Sequence, residues 1–244
     1  MQGRSFLATP PYDGAFCEYI AVRQDLVFPV SDSISDETAA LIEPFSVGLH
    51  AVERGRVTSG ETVVIMGMGP IGMMVAMAAK LVGATTIIGV DFEESRLHAS
   101  KEMGVTHTVQ IGKEDAHKKV AQLTGGAGVD VAIETAGNEA AFANAVAAVS
   151  RGGRVVLVGL PPKETAELNV AHVVDNELDL LGVFRYRNTY AKAVALIEAH
   201  QLCFDPLVTG RFSLEETEAA FNRALVDKAN TIKLVIYPKK PASI

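Results

Sequence analysis

Residues 63–72, Val-Val-Ile-Met-Gly-Met-Gly-Pro-Ile-Gly, carry an apolar strand pattern straight into Gly-x-Gly-x-x-Gly, and a helix-patterned stretch, Met73 to Leu81, follows at once. Gly67 permits a tight turn, Gly69 lets the backbone approach a pyrophosphate that a Cβ would repel, and Gly72 allows the helix to pack closely on the strand. The helix N-terminus then offers unpaired N–H groups and a partial positive charge to phosphates. Glycines also collect in turns that bind nothing, so the motif needs a second feature. Asp91 supplies it, at the end of the next strand pattern and nineteen positions after Gly72. A carboxylate there can accept hydrogen bonds from the adenosine ribose hydroxyls and would repel a 2′-phosphate, which favours NAD over NADP. Asp91 could also cap the helix that starts near Glu94, a role compatible with ribose binding. Arg96, one turn into that helix, either reaches the adenosine end of the cofactor or lies on a solvated face.

The rest of the chain supports the same architecture. From Glu61 onward, apolar runs alternate with helix-patterned stretches: strands at 62–66, 86–90, 106–110, 129–133 and 154–158, helices from about 71 and 94, at about 114–123 and at 139–149. Such near-continuous Val/Ile runs suit parallel strands covered by helices on both faces. A sixth run, Leu178 to Phe184, follows Pro161, Pro162 and a polar linker and should form the outer edge, where another subunit could pair. The predicted class is therefore α/β, a doubly wound, six-stranded parallel sheet of the Rossmann type. The run Val155 to Leu160 should end at the same carboxyl edge, where such folds place their ligands, or else in an ordinary turn. The flanks differ. Phe16 to Val22 and Leu26 to Pro29 are strand-like pieces broken by Pro and Gly, while Thr189 to His200 and Leu214 to Val226 read as helices. No helix follows Thr231 to Tyr237, which is expected to pair with the N-terminal pieces.

Composition narrows the function. The 244 residues are 48% hydrophobic and carry a net charge of −7, with the basic residues scattered, so neither nucleic acid nor an anionic membrane is an expected partner. No apolar run reaches the roughly 18 residues of a membrane span, which makes the cytoplasm the default address. Cys17 and Cys203 are the only cysteines, too far apart for a zinc knuckle. Glu43 stands out within Leu41-Ile42-Glu43-Pro44-Phe45: a carboxylate in an apolar run is either a site group or a first-turn helix charge.

Four segments together resemble the zinc-dependent polyol branch of the medium-chain dehydrogenase/reductase superfamily, the branch of sorbitol (L-iditol) and xylitol dehydrogenases. They are residues 8–14 (Ala-Thr-Pro-Pro-Tyr-Asp-Gly), 41–48 (Leu-Ile-Glu-Pro-Phe-Ser-Val-Gly), the Gly-Met-Gly-Pro-Ile-Gly turn, and 182–186 (Gly-Val-Phe-Arg-Tyr). The resemblance covers nearly the whole chain and implies hydride transfer from a secondary alcohol of a sugar alcohol to NAD. It implies that the turn through Pro70 and Ile71, together with Asp91 and Arg96, touches NAD. Val158, Gly159 and Leu160 would line the nicotinamide side, and Val183, Phe184 and Arg185 would close over the cofactor. Glu43, Arg185 and Tyr186 would face the substrate and a catalytic zinc, with Glu43 meeting the metal directly or through water. Zinc suits this chemistry because, as a Lewis acid, it lowers the pKa of a bound oxygen from about 16 to roughly 7.

The same resemblance implies residues 46–185 as the NAD-binding domain, with 1–45 and 186–244 as a remnant of a GroES-like, β-rich catalytic domain, and a homo-oligomer through the 178–184 edge. In that family the principal zinc ligands, a Cys and a His-Glu pair, precede the Ala-Thr-Pro-Pro segment, which begins here at Ala8. None of the six histidines, at 50, 98, 107, 117, 172 and 200, is followed by Glu or stands with a Cys at ligand spacing. The expectation is an incomplete zinc site and a chain that is inactive alone. A non-catalytic NAD-binding module, or a related enzyme such as a threonine 3-dehydrogenase, are the competing readings.

Overall fold

A computed structural model describes residues 7–9 and 11–239 of the chain. The chain enters through irregular backbone with one short turn of 3-10 helix, Gln24–Leu26, and reaches helices α1 (Asp36–Ala40) and α2 (Ile42–Arg54). Then strands and helices alternate: β1 (Thr62–Met66), α3 (Pro70–Leu81), β2 (Thr86–Asp91), α4 (Glu94–Ser100), β3 (His107–Gln110), α5 (Ala116–Leu123), β4 (Val129–Glu134), α6 (Glu139–Ala148), β5 (Val149–Leu157), α7 (Val170–Asp175) and β6 (Asp179–Gly182). Last come α8 (Tyr190–His200), β7 (Val208–Ser213), α9 (Thr217–Val226) and β8 (Lys233–Tyr237).

Six strands form one parallel sheet in the order β3-β2-β1-β4-β5-β6. The order reverses between β1 and β4, so a crevice opens beyond the carboxyl ends of those strands. Two cores sandwich the sheet. On one face Ile65, Ile133 and Val156 meet Met73, Met74 and Met77 of α3 and Phe45 and Leu49 of α2. On the other, Val64, Ile88 and Val155 meet Val120 of α5 and Ala145 and Val146 of α6. Strands buried on both faces explain the unbroken apolar runs; at about 25 cal/mol per Å2, each fully buried Ile, Leu or Met contributes about 2 kcal/mol.

The expected elements are present with shifted ends. The helix expected from Glu114 starts at Ala116, because the Asp115 side chain accepts the Lys118 N–H at 3.1 Å and caps it. The strand expected over 178–184 shortens to Asp179–Gly182, lying against β5 alone at the edge of the sheet.

The closing strand departs from expectation. β8 pairs with β7, in parallel, and not with the N-terminal pieces. Phe16 to Val22 and Leu26 to Pro29 form no strands; apart from the 3-10 residue Leu26 they are irregular, and they are exposed but for a part-buried Cys17. The reason is local connection. α9 links β7 to β8 and packs on both, a crossover that needs no distant partner. Sequence adjacency prevailed over pattern matching between the chain's ends.

A part-buried charge cluster ties this two-stranded unit to the start of α1. The Glu37 carboxylate is 7% exposed and accepts both Arg211 Nε and, at 2.7 Å, Arg211 Nη2, together with the Tyr237 hydroxyl. The Arg211 hydrogen bonds, outweighing burial, hold the Glu37 carboxyl below its ordinary 4.5. Its ionised form is thus favoured in the fold, so the stabilisation is present above pH 4.5 and disappears as pH falls through the lowered folded value. Glu37→Gln is expected to cost about 2 kcal/mol at pH 7, the scale of a charge-assisted hydrogen bond to a buried group. Chemical denaturation of both proteins at pH 7 and near pH 3 checks this; an equal gap at the two pH values would remove the charge from the account.

Candidate functional site

The glycine-rich turn is held from both sides. On the β2 side, Asp91 Oδ2 accepts the Met68 N–H at 2.7 Å, while Asp91 Oδ1 accepts the Glu93 N–H at 2.9 Å. On the β4 side, the Thr135 hydroxyl, at 2.8 Å from the Gly67 carbonyl, donates to it and also lies 3.1 Å from the Met66 carbonyl. Gly67 itself adopts φ +100°, a conformation in the left-handed half of the map that glycine enters at no steric cost. Gly72 is fixed by a different demand: a Cβ there would overlap the Gly67 carbonyl oxygen, so helix and turn could not pack this closely with any other residue.

Gly69 faces the opposite situation, since a Cβ built on it meets nothing within 4 Å. That open space lies at the head of α3, where Gly69 is the N-cap residue without a side-chain cap and Pro70 opens the helix. Free N–H groups, a positive helix end and open room are what a phosphate requires. A cleft of about 340 Å3 continues from this point and is lined by Gly67, Gly69, Asp91, Arg96, Thr135 and Asn138, among others. Asp91 is 8% exposed, and two of its roughly four acceptor positions remain after the Met68 and Glu93 bonds. It does not cap α4; Glu93 holds that position. Arg96 borders the same cleft and donates through Nη2 to the carbonyls of Lys228 and Thr231, at 3.1 and 3.3 Å, while its Nε is buried without a partner.

The other sequence candidates sit further along the carboxyl edge. Val158, Gly159 and Leu160 follow β5, with the Val158 and Gly159 N–H groups bonded to the Glu134 carbonyl at 2.9 and 3.1 Å. Leu160 is 81% exposed. Val183, Phe184, Arg185 and Tyr186 follow β6; the Val183 N–H reaches the Leu157 carbonyl at 2.9 Å. Arg185 has φ +53°, a conformation costing a non-glycine residue about 1 kcal/mol or more, and its guanidinium lies 5.8 Å from the centre of the Phe184 ring. Residues kept in such conformations concentrate at functional positions.

Glu43 occupies the first turn of α2 and is exposed, which fits the helix-charge reading. It faces an aromatic group at the start of α8. Tyr190 stacks on Phe28 with ring centroids 5.1 Å apart, meets Tyr186 edge-on at 5.2 Å, and its hydroxyl lies 3.4 Å from that of Tyr186. Burial, then the Tyr186 hydroxyl, and last the charge of Glu43 raise the Tyr190 pKa, keeping this hydroxyl neutral. Among the described residues no group of three or more His, Cys, Asp or Glu could hold a metal ion, so Glu43 has no co-ligands there.

Thus the turn, Asp91 and Arg96 share one cleft, whereas Glu43, Tyr186 and Tyr190 form a second group. A roomier cleft, about 660 Å3 between Ser31 and Asp205, shares no residue with either. Sequence reasoning passed over Thr135 and Glu134. The signal was present in Glu134, a carboxylate closing the apolar run Val129 to Ile133 much as Asp91 closes β2.

Residues 70–199 match the family described as zinc-binding dehydrogenase. The chain is 50% identical over 235 residues to the sorbitol dehydrogenase of Bacillus subtilis (strain 168), covering 96% of this chain and 67% of that protein. To the sorbitol dehydrogenase of Rattus norvegicus it is 40% identical over 222 residues, covering 90% of this chain and 62% of that protein. Among solved structures, 2R,3R-butanediol dehydrogenase from Bacillus subtilis superposes with a TM-score of 0.86 at 30% identity, covering 93% of this chain and 65% of that one. The chain therefore spans about two thirds of the length of these relatives. With more than half of the chain matched and half of its aligned residues shared with one relative, the chain belongs to the zinc-binding dehydrogenase family.

Proposed function

We propose that the chain is the NAD-binding portion of a polyol dehydrogenase, acting with a family-type zinc to move hydride from a secondary alcohol of a sugar alcohol to NAD. One observation carries this: the Asp91 carboxylate, buried at the tip of β2 and hydrogen-bonded to the glycine turn, with acceptor positions left toward the cleft. The cleft fits the cofactor. The head of α3 would take the pyrophosphate, Asp91 the adenosine ribose, and Arg96 would flank the adenosine end. Val158, Gly159 and Leu160, with Val183, Phe184 and Arg185, would border the nicotinamide. When bound, NAD supplies the hydride acceptor; this chain's residues align it and shield it from water.

The described residues do not fit a zinc site: no three His, Cys, Asp or Glu among them stand close enough together to hold the ion. Glu43, Arg185 and Tyr186 are assigned to the substrate side, where the tyrosine hydroxyls and the guanidinium can hydrogen-bond a polyhydroxy substrate. Residues 46–185 serve as the cofactor domain, and 1–45 and 186–244 belong to the catalytic domain. The β6 edge, with Leu180 and Phe184 partly exposed, is the candidate contact between copies. A cytoplasmic setting is part of this reading; among the described residues no helix is long and apolar enough to cross a membrane, and the net charge is −7.

Calorimetric titration of the chain with NADH and NADPH tests the cofactor assignment. NADH should bind at least about tenfold more tightly, the equivalent of ~1.4 kcal/mol. Asp91→Ser should weaken NADH about tenfold, as loss of one charged hydrogen bond would, and narrow the preference over NADPH. An unchanged preference would remove Asp91 from the site, and no NADH binding at millimolar concentration would overturn the reading.

Metal analysis of the same preparation should find zinc well below one equivalent and no sorbitol- or xylitol-dependent NADH formation. Tight stoichiometric zinc with turnover would show that the ligand set is complete.

A further inference from the structure

Glu134, like Asp91, is a buried carboxylate on the carboxyl edge of the sheet. It closes β4 in register with Met66 of β1, which pairs on its other side with Val90, next to Asp91. Glu134 is 3% exposed, no ion pair among the described residues involves it, and the three strand positions before it, Val131, Ala132 and Ile133, are fully buried and apolar. Burying a carboxylate is unfavourable unless hydrogen bonds hold the charged form.

Those bonds exist, and their direction is informative. Oε1 accepts the N–H groups of Ala136 and Gly137, each at 2.7 Å, which fixes the turn between β4 and α6. The main-chain carbonyl of the same residue accepts Val158 and Gly159. Oε2 closes against the second turn: a Cβ on Gly159 would stand 2.7 Å from it, and one on Gly137, at φ +68°, would stand 2.6 Å from the Leu160 carbonyl oxygen. Residues 136–137 and 158–160 are thus interleaved through two glycines, with the Glu134 carboxylate between them. Burial raises its pKa, and the N–H groups of Gly137, Ala136 and Gly159 oppose that rise.

We propose that Glu134 is a positioning residue for the nicotinamide half of the cofactor, fixing the 158–160 backbone as Asp91 fixes the glycine turn for the adenosine half. The inference rests on the proposed NAD site. It predicts an uneven loss that a general stabilising role would not produce, because the adenosine cleft, although Ala136 borders it, is held as well by the Asp91 and Thr135 bonds to the glycine turn. Glu134→Ala strips both N–H groups of their acceptor; Glu134→Gln keeps one carbonyl oxygen for them.

Titration of the intact chain with NADH and with ADP-ribose, which lacks the nicotinamide, reads the two halves separately. Glu134→Ala should weaken NADH about tenfold or more while ADP-ribose stays within about threefold, and Glu134→Gln should recover most of the NADH affinity. The fluorescence of bound NADH, a report on the nicotinamide surroundings, should shift toward that of free NADH in the alanine variant alone. Equal losses for both ligands, or no loss for either, would overturn the proposal. Should the alanine variant fail to fold, Glu134→Asp, which shortens the reach to Ala136 and Gly137, carries the same comparison. A wild-type chain that binds neither ligand sinks the cofactor reading, and this one with it; ADP-ribose binding without any gain from the nicotinamide sinks only this one.

Discussion

The glycine turn between β1 and α3 can exist only because it is clamped, on one side by the Asp91 carboxylate at Met68 N–H and on the other by the Thr135 hydroxyl at the Gly67 carbonyl. A turn with a glycine at φ +100° has many alternatives in an unconstrained chain, and glycine loses more conformational entropy on folding than any other residue. These hydrogen bonds, with that of the Gly67 N–H to the Val90 carbonyl, select one of those alternatives. The consequence reaches α3, whose first turn lies against the Gly67 carbonyl at a distance only Gly72 allows. It also reaches the sheet, because both clamps come from strands that flank β1. The crevice is therefore set by β2 and β4 as much as by the motif itself.

Viewed along the carboxyl edge, the sheet places carboxylates at the ends of two strands on either side of β1 and uses them differently. Asp91 spends one oxygen on the turn and one on the entry to α4, and faces a cleft. Glu134 turns one oxygen to two N–H groups and closes the other against Gly159. The difference follows from side-chain length and surroundings. The shorter acid reaches only the adjacent turn, whereas the longer one spans the gap between the loops after β4 and β5. In each case buried charge is tolerated because peptide N–H groups replace the lost water.

Much of this was legible in the residues. The six-stranded parallel sheet follows from the alternation of apolar runs and helices, and Asp91 is legible because its spacing from Gly72 is dictated by one βαβ unit. Thr135 and Glu134 were harder to see, since a hydroxyl and an acid after an apolar run match any strand ending in a turn. Their importance lies in which carbonyl and which N–H they reach across strands, and no spacing within one segment encodes that. The misplacement of β8 has a related cause. A terminal strand pattern states that pairing is needed and leaves the partner open; α9, packing on both β7 and β8, settled it. The left-handed Arg185 was equally invisible, because backbone conformation at a non-glycine residue follows from the path of the chain around it.

The two candidate groups also differ in how much they depend on the rest of a protein. The adenosine-side cleft is walled by β1, β2, β4 and their connections, all inside one sheet, and Arg96 joins it to the β7–β8 unit through the carbonyls of Lys228 and Thr231. Glu43, Tyr186 and Tyr190 instead sit where α2 meets α8, with Phe28 stacked on Tyr190 from the irregular N-terminal segment. That group has one wall of regular structure and one of exposed backbone, and an exposed carboxylate there is hydrated rather than organised. A polyol held by hydroxyl and guanidinium groups needs those groups fixed and dry to discriminate among stereoisomers. On the proposed reading, then, cofactor recognition rests on the sheet and its loops, while a substrate site at the α2–α8 face would need Glu43, Tyr186 and Tyr190 held fixed and dry.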